Sequence, residues 1–126
     1  MPVNLDQALG VHQHALSMRA ERAKIISSNI ANVDTPGYLA KDFDFKATLQ
    51  NIDRQLGQVR GNDPLPSTDL SGSLKYRIPM QPSQDGNTAD LGIEQAAFNQ
   101  NAMDFQTSLT FLNSKISGLR EAIVGR

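Results

Sequence analysis

The sequence predicts a mainly α-helical fold, in which two long terminal helices pack as a coiled coil and are joined by an irregular, partly extended connector with a short helix and a β-strand. The first observation is an apolar series that alternates spacings of four and three, here called the C-terminal seam: Phe98, Ala102, Phe105, Leu109, Leu112, Ile116, Leu119 and Ile123. Such a series lies along one side of a helix and is typical of a helix that packs on another helix. The second observation is a matching N-terminal series, and the third is the irregular composition between them.

The N-terminal series follows the same alternation and is apolar at seven of nine positions: Leu5, Leu9, His12, Leu16, Arg19, Ala23, Ile26, Ile30 and Val33. A neighbouring row is also mostly apolar, so this helix is expected to contact more than one neighbour. Beside the C-terminal seam the comparable row is mostly polar: Asn101, Asp104, Ser108, Phe111 and Lys115. We therefore expect one partner helix to cover that seam, with Leu9, Leu16, Ala23, Ile26 and Ile30 on the other side of the interface.

Cap and turn residues define the expected ends of the first helix. It can begin at Asn4 or Asp6, since both residue types are good N-caps. It must end by Thr35, because Pro36 and Gly37 follow. The predicted helix is about 29 residues long, far beyond the mean of about 11 to 12.

The second helix is expected to begin at Thr88 or Asp90 and to end at Ile123 or Val124, with Gly125 as its C-terminal cap. It would be longer still, about 33 residues. Two such helices and a thin connector predict an elongated single domain. Its expected parts are an N-terminal helix in 1–35, a connector in 36–88 and a C-terminal helix in 89–126.

Residues 38–88 of the connector hold four of the six prolines and four of the nine glycines, and the connector is expected to form no core of its own. Helical spacing predicts a short helix that includes Leu49, Ile52, Leu56 and Val59. Alternation predicts a strand with Leu74, Tyr76, Ile78 and Met80. Pro79 should end this strand or confine it to a sheet edge.

Composition excludes several classes of function. The chain has 126 residues, a net charge of -1 and no cysteine, which disfavours nucleic acid and anionic membranes as partners and excludes thiol chemistry. The first 20 residues do not resemble a cleaved signal peptide. No stretch approaches the roughly 18 apolar residues of a membrane span, so we expect no direct lipid insertion.

No pattern indicates a catalytic, cofactor or metal site, and the chain is not expected to be an enzyme. His12 and His14 lie two positions apart and point to different sides of a helix, so they cannot bind one metal together. Arg19 is expected to pair with an acidic residue of a neighbour or to extend towards solvent. Asp42 and Asp44 are expected to be solvated or ion-paired rather than catalytic.

The most specific segment runs from residue 27 to 45, where a helix stops and an aromatic residue follows. Pro36 disfavours helix for the residue before it, and Gly37 permits positive φ. Asp34 can bond its side chain back to the turn, and Tyr38 can pack the departing chain. Turn chemistry alone favours the interpretation of this segment as an ordinary helix end.

The segment nevertheless closely resembles the N-terminal motif of flagellar basal-body rod and hook proteins, in the pattern S-N-I-A-N-x-D-T-P-G-Y. The motif positions singled out here are Ser28, Asn29, Asn32, Asp34, Thr35, Pro36, Gly37 and Tyr38. Residues 86–123 are similar to the C-terminal helix that pairs with the N-terminal one in this family. Hook and distal-rod members carry long insertions between the helices, so the short connector implies the proximal-rod type.

The resemblance implies a structural role without a cofactor. Subunits of this family stack helically into the rod, the drive shaft that crosses the periplasm and transmits torque to the hook. The implied partners are copies of this chain, other rod proteins, the adaptor between the membrane ring and the rod, and the flagellar type III export apparatus. The chain is expected to be made in the cytoplasm and exported without a cleaved signal peptide.

The resemblance also implies a candidate export-recognition element, in which Phe45 is followed by Leu49 after three residues; alternatively, both side chains only anchor the connector. Two other functions remain open. A soluble coiled-coil adaptor or export chaperone of the flagellar system would need both helices to fold alone. A cell-wall hydrolase would need two carboxylates about a shared site, and no such pair stands out.

Overall fold

The computed structural model describes residues 5, 9–58, 73–79 and 81–125. Five elements follow in order: α1 (His12–Ala31), β1 (Lys41–Phe43), α2 (Phe45–Gln58), β2 (Leu74–Tyr76) and α3 (Leu91–Val124). The two long helices are antiparallel, because Asn29 near the end of α1 contacts Glu94 near the start of α3, whereas His12 lies beside Phe111. The predicted class, two long helices joined by a connector with a short helix and a strand, is confirmed.

Helix α1 has 20 residues, about 30 Å, and is shorter than the predicted span. Gly10 has a φ of 61°, outside the helical region, so the regular helix begins after it. The predicted caps Asn4 and Asp6 lie outside the described residues. At the other end α1 stops four residues before Thr35, since the chain turns at once after Ala31.

Helix α3 has 34 residues and the predicted caps. The carboxylate of Asp90 accepts hydrogen bonds from the backbone N–H groups of Gly92 and Ile93, at 2.9 and 3.2 Å. Gly125 adopts the left-handed conformation, with φ 74°, and its N–H donates to the backbone oxygen of Glu121. Both predicted ends of this helix are therefore confirmed.

The connector folds onto α1 instead of forming a separate unit. Strand β1 pairs antiparallel with β2, with Asp42 opposite Lys75. Phe43 and Ile52 are buried with Met18 of α1, and around them pack Ile25, Phe45, Leu49 and Leu56. The predicted helix and strand are both present as α2 and β2, while β1 was not predicted. Val59 and Met80, expected in these elements, lie outside the described residues.

Only part of the C-terminal seam packs on α1. Ile26 of α1 is buried. The half-buried positions are Leu9, Leu16, Ala23 and Ile30 of the N-terminal series, and Phe105, Leu109, Leu112 and Leu119 of the C-terminal seam. Four other positions, here called the open seam, are exposed in the chain: Phe98, Ala102, Ile116 and Ile123. Within the single chain, α1 therefore covers only part of the seam, because α3 turns the buried side chain of Asn101 towards α1.

Candidate functional site

The turn after α1 is held by side chains of the motif itself. The Asn32 amide donates to the backbone oxygen of Ser28 at 2.8 Å, and its oxygen accepts from the Thr35 hydroxyl at 3.1 Å. Gly37 has the expected positive φ, 74°. Asp34 is exposed and, among the described residues, makes none of the expected bonds to the turn. Asn32 takes that role because its side chain lies directly over the last turn of α1.

Asn87, from the segment before α3, binds backbone carbonyls of the turn that follows α1. Its amide nitrogen lies 2.9, 2.8 and 2.9 Å from the backbone oxygens of Asn32, Val33 and Thr35. The last carbonyls of any helix lack partners within the helix, so they need such a donor when water is excluded. Asn87 is buried, and it joins the start of the C-terminal segment to the end of the N-terminal helix.

Backbone contacts strengthen the same junction. The N–H of Gly37 donates to the oxygen of Asp85 at 2.8 Å, and the N–H of Thr88 donates to the oxygen of Tyr38 at 3.0 Å. The Asp85 carboxylate accepts from the Ser83 hydroxyl and from the Asn87 N–H. These bonds, the hydroxyl first, lower the pKa of Asp85, so its carboxylate stays charged and keeps the Asn87 backbone in place.

Asn87→Ala is expected to destabilise the folded chain by about 1 to 3 kcal/mol, the range for leaving buried polar groups without partners. The backbone oxygen of Val33 would lose its donor, while those of Asn32 and Thr35 would keep only the N–H groups of Thr35 and Tyr38. Urea unfolding followed by circular dichroism measures the change. Asn99→Ala is the matched control, since Asn99 is exposed and should change stability by less than about 0.5 kcal/mol. Equal effects at both positions would contradict the role assigned to Asn87.

Gly37→Ala should destabilise the chain by about 1 to 2 kcal/mol, because an L residue is strained at its φ of 74°. A Cβ at Gly37 would meet nothing within 4 Å, so the cost lies in the backbone alone. Gly57, inside α2, has equally open space, and Gly57→Ala should instead stabilise the chain by about 0.5 to 1 kcal/mol. Thermal unfolding measures both. A stabilising Gly37→Ala would show that the turn does not require glycine.

Asn29 is fully buried and uses all four of its hydrogen-bonding sites. Its amide nitrogen donates to the backbone oxygen of Lys41 at 2.7 Å and to the Glu94 carboxylate at 3.1 Å. Its oxygen accepts from the Lys41 N–H and from the Tyr38 hydroxyl, both at 3.1 Å. The Tyr38 hydroxyl also lies 3.3 Å from that of Ser28. One side chain thus ties α1 to β1, to the aromatic residue of the motif and to α3.

Four charged residues form a neutral network next to Asn29. Glu94 is fully buried, and its carboxylate lies 2.8 Å from the Arg77 guanidinium. Arg77 also pairs with Asp42 at 2.9 Å, and Arg22 binds the same carboxylate through two hydrogen bonds of 3.1 and 3.0 Å. The bonds from Arg22 to Asp42 raise the pKa of Arg22 against the opposing effect of burial. Asp42 is therefore ion-paired, as expected, and the network joins α1, β1, the residue after β2 and α3.

Arg19 connects α1 to α3 and to α2. Its guanidinium lies 3.1 Å from the Asp104 carboxylate and 3.5 Å from the centre of the Phe45 ring. Burial lowers the pKa of Arg19, while the attraction of Asp104 opposes this shift. The amide of Asn101, buried on α3, donates to the backbone oxygen of Arg19 at 2.9 Å. The acidic partner expected for Arg19 is thus present within the same chain.

The structure gathers most of the motif at this junction but places the candidate export residues elsewhere. Phe45 and Leu49 are half-buried at the start of α2, against the apolar core around Met18. Sequence reasoning missed the half-buried Arg77 and the buried Asn87 and Glu94, and it treated Asn101 as one of a series of outward polar residues. A signal was available, because Asn87, Glu94 and Asn101 follow one another at intervals of seven residues beside the apolar seam.

The chemistry of this site is that of a structural joint. Arg22, Asp42, Arg77 and Glu94 are paired with opposite charges, and the amides of Asn29 and Asn87 bind mainly backbone groups. Within residues 5, 9–58, 73–79 and 81–125, no group of three acidic, histidine or cysteine residues could hold a metal ion. In the same part of the chain, no helix is sufficiently long and apolar to cross a membrane.

Comparisons with known proteins agree with this geometry. Residues 9–38, which include the whole motif, match the family described as "Flagella basal body rod protein". The flagellar basal body rod protein FlgB of Aeromonas hydrophila is 44% identical over 130 residues, covering 99% of this chain and 98% of the relative. FlgB of Salmonella typhimurium is 38% identical over 137 residues, covering 96% of each chain, and FlgB of Escherichia coli K12 is 38% identical over 131 residues, covering 94% of each.

Proposed function

We propose that this chain, which belongs to the FlgB family of flagellar basal body rod proteins, is a structural subunit of the proximal rod and stacks helically with other axial proteins to transmit torque for motility. The motif and the short connector predict the family and the proximal rod, and the segments 9–32 and 39–45 are more similar to the FlgB type than to its close relative FlgC. The shared length supports one rod-subunit domain over 1–126.

The open seam is the single observation that carries this proposal. Phe98, Ile116 and Ile123 are 38, 48 and 80% exposed, although they continue the apolar series that packs on α1. Apolar surface of this kind on a helix is a site for association with another protein. Open stacking requires different faces of neighbouring subunits to meet, and an exposed stripe on one side of α3 supplies one such face.

The rest of the assignment follows from the same role. The chain is located in the flagellar basal body, with copies of itself, other rod proteins and the adaptor at the base of the rod as partners. It reaches the rod through the flagellar type III export apparatus without a cleaved signal peptide and has no catalytic activity. The paired charges at the helix junction support a structural role, since they hold α1, β1 and α3 together.

Deletion of the coding sequence tests the proposal directly. We expect loss of filaments and motility, and recovery of this chain in purified hook-basal bodies of the complemented strain. Normal flagella, or a protein confined to the cytosol, would contradict rod membership and favour the adaptor or chaperone function.

Phe45 and Leu49 are proposed as the export-recognition element, and Phe45→Ala should reduce secretion severalfold. Export of an unfolded chain cannot depend on the folded contact between Phe45 and Arg19, so a secretion defect would report recognition of the residue itself. Secretion into the medium is measured separately from incorporation into the rod. Lys46→Ala, at the adjacent exposed position, is the control. Normal secretion of Phe45→Ala would mean that these residues only anchor the connector.

A further inference from the structure

Three buried polar side chains lie at intervals of seven residues along the C-terminal part of the chain. Asn87, Glu94 and Asn101 are 5, 0 and 2% exposed, and we call them the polar row. Each one contacts α1 or the turn that follows it: Asn87 bonds three carbonyls of the turn, Glu94 accepts from Asn29, and Asn101 donates to the Arg19 backbone. The polar row therefore follows the α1–α3 interface from the turn after α1, beside Asn87, to Arg19, beside Asn101.

The apolar seam cannot select the register of the two helices by itself. Its members repeat every seven residues, so a shift of α3 by one heptad, about 10 Å, again places apolar residues opposite α1. The half-buried residues Phe105, Leu112 and Leu119 lie seven positions apart, so after such a shift each one occupies the place that its neighbour in this series held before. Registers one heptad apart bury similar apolar area and differ little in hydrophobic energy.

The polar row does not tolerate the same shift. A shift of α3 by one heptad in either direction would take Glu94 away from Arg77, and in one direction it would place the neutral amide of Asn101 there instead. Glu94 would meanwhile be buried without its cation, which costs several kcal/mol. The carbonyls at the end of α1 would also lose the Asn87 amide. Only one register satisfies all of these groups.

We infer that Asn87, Glu94 and Asn101 determine the register in which α3 pairs with α1, and thereby determine which positions of the seam stay open. Buried polar residues at single positions of a helix interface are the best-documented means of specifying register. This inference concerns the single chain, so it holds or fails independently of membership in the rod.

Distance measurements between two spin labels test the inference. The chain has no cysteine, so Ser17→Cys and Gln95→Cys, both exposed, place one label on α1 and one on α3. The test variant carries Asn87→Leu, Glu94→Leu and Asn101→Leu. The control carries Asn99→Leu, Gln106→Leu and Asn113→Leu, which have the same spacing on the exposed side of α3.

We expect one narrow distance in the labelled parent chain and in the control. The test variant should keep its helix content, because leucine packs well in a helix interface, but should show a second population displaced by about 10 Å, one heptad. A single unchanged distance in the test variant would overturn the inference, and so would a broad distribution in the parent chain.

If the triple variant loses its helices, Glu94→Leu with Asn101→Leu is measured by the same criterion. In this double variant Arg77 still pairs with Asp42, and the Asn29 amide still donates to the backbone oxygen of Lys41, so these polar groups keep partners. A smaller second population is expected, because Asn87 still favours the native register. Its absence would equally overturn the assignment.

Discussion

Arg77→Met is expected to destabilise the folded chain by about 3 to 5 kcal/mol, the cost of removing one partner of a buried ion pair. Glu94 is fully buried, and Arg77 lies 2.8 Å from its carboxylate. Without the guanidinium this charge keeps only the amide of Asn29. Asp42 is less affected, since it retains two hydrogen bonds from Arg22. Urea unfolding of the full chain measures the loss.

A second change should reverse most of this loss. In the double variant Arg77→Met with Glu94→Gln no charge remains unpaired, so the cost should fall to less than half of that of Arg77→Met alone. Arg54→Met, at an exposed position of α2, controls for the removal of an arginine and should change stability by less than about 0.5 kcal/mol. If Arg77→Met and Arg54→Met cost the same, Arg77 does not compensate Glu94.

The parts of the fold that follow from local chemistry could be predicted from the sequence. Asp90 and Gly125 define the ends of α3 through bonds to residues within four positions of them. Gly37 supplies a positive φ for a turn that depends on its immediate neighbours. The short helix α2 needs only helical spacing of apolar residues along its own length.

The parts that depend on distant residues could not be predicted in this way. Strand β1 is only three residues long and exists because Lys41 pairs with Tyr76, far along the chain, and with the side chain of Asn29. Glu94 is charged, and such residues are almost never fully buried unless paired, so nothing local indicates its burial. Its burial depends on Arg77, the residue after β2, and that pairing arises only when the whole junction has formed.

The C-terminal seam shows why periodicity alone does not identify an interface. Its eight positions form a strip along α3, and only one side of this strip contacts α1. Glu94 and Asn101 are buried in that contact, so the other side of the strip stays uncovered. Between the helices, the open side of the strip borders a groove of about 280 Å³, lined by Ala20, Ala23 and Phe98 among others. The same apolar series thus serves the helix pair on one side and remains free for a neighbour on the other.

Ile116→Asp is expected to abolish incorporation into the rod while leaving the single chain close to its normal stability. Ile116 belongs to the open seam and is 48% exposed, so a carboxylate there remains hydrated in the isolated chain and should cost less than about 1 kcal/mol. Covered by a neighbouring subunit, the same carboxylate would be buried without a partner, at a cost of several kcal/mol. Recovery in purified hook-basal bodies, together with motility, measures incorporation.

Ser117→Asp is the matched control, since it adds the same charge at the next, exposed position. Secretion and urea unfolding of both variants separate a defect in assembly from one in export or folding. Normal rods with Ile116→Asp would mean that the open seam faces solvent in the assembled rod, and another surface would then have to bind the neighbouring subunit. A defect confined to Ile116→Asp, with normal secretion and unfolding, would place a subunit interface on the side of α3 that α1 leaves uncovered.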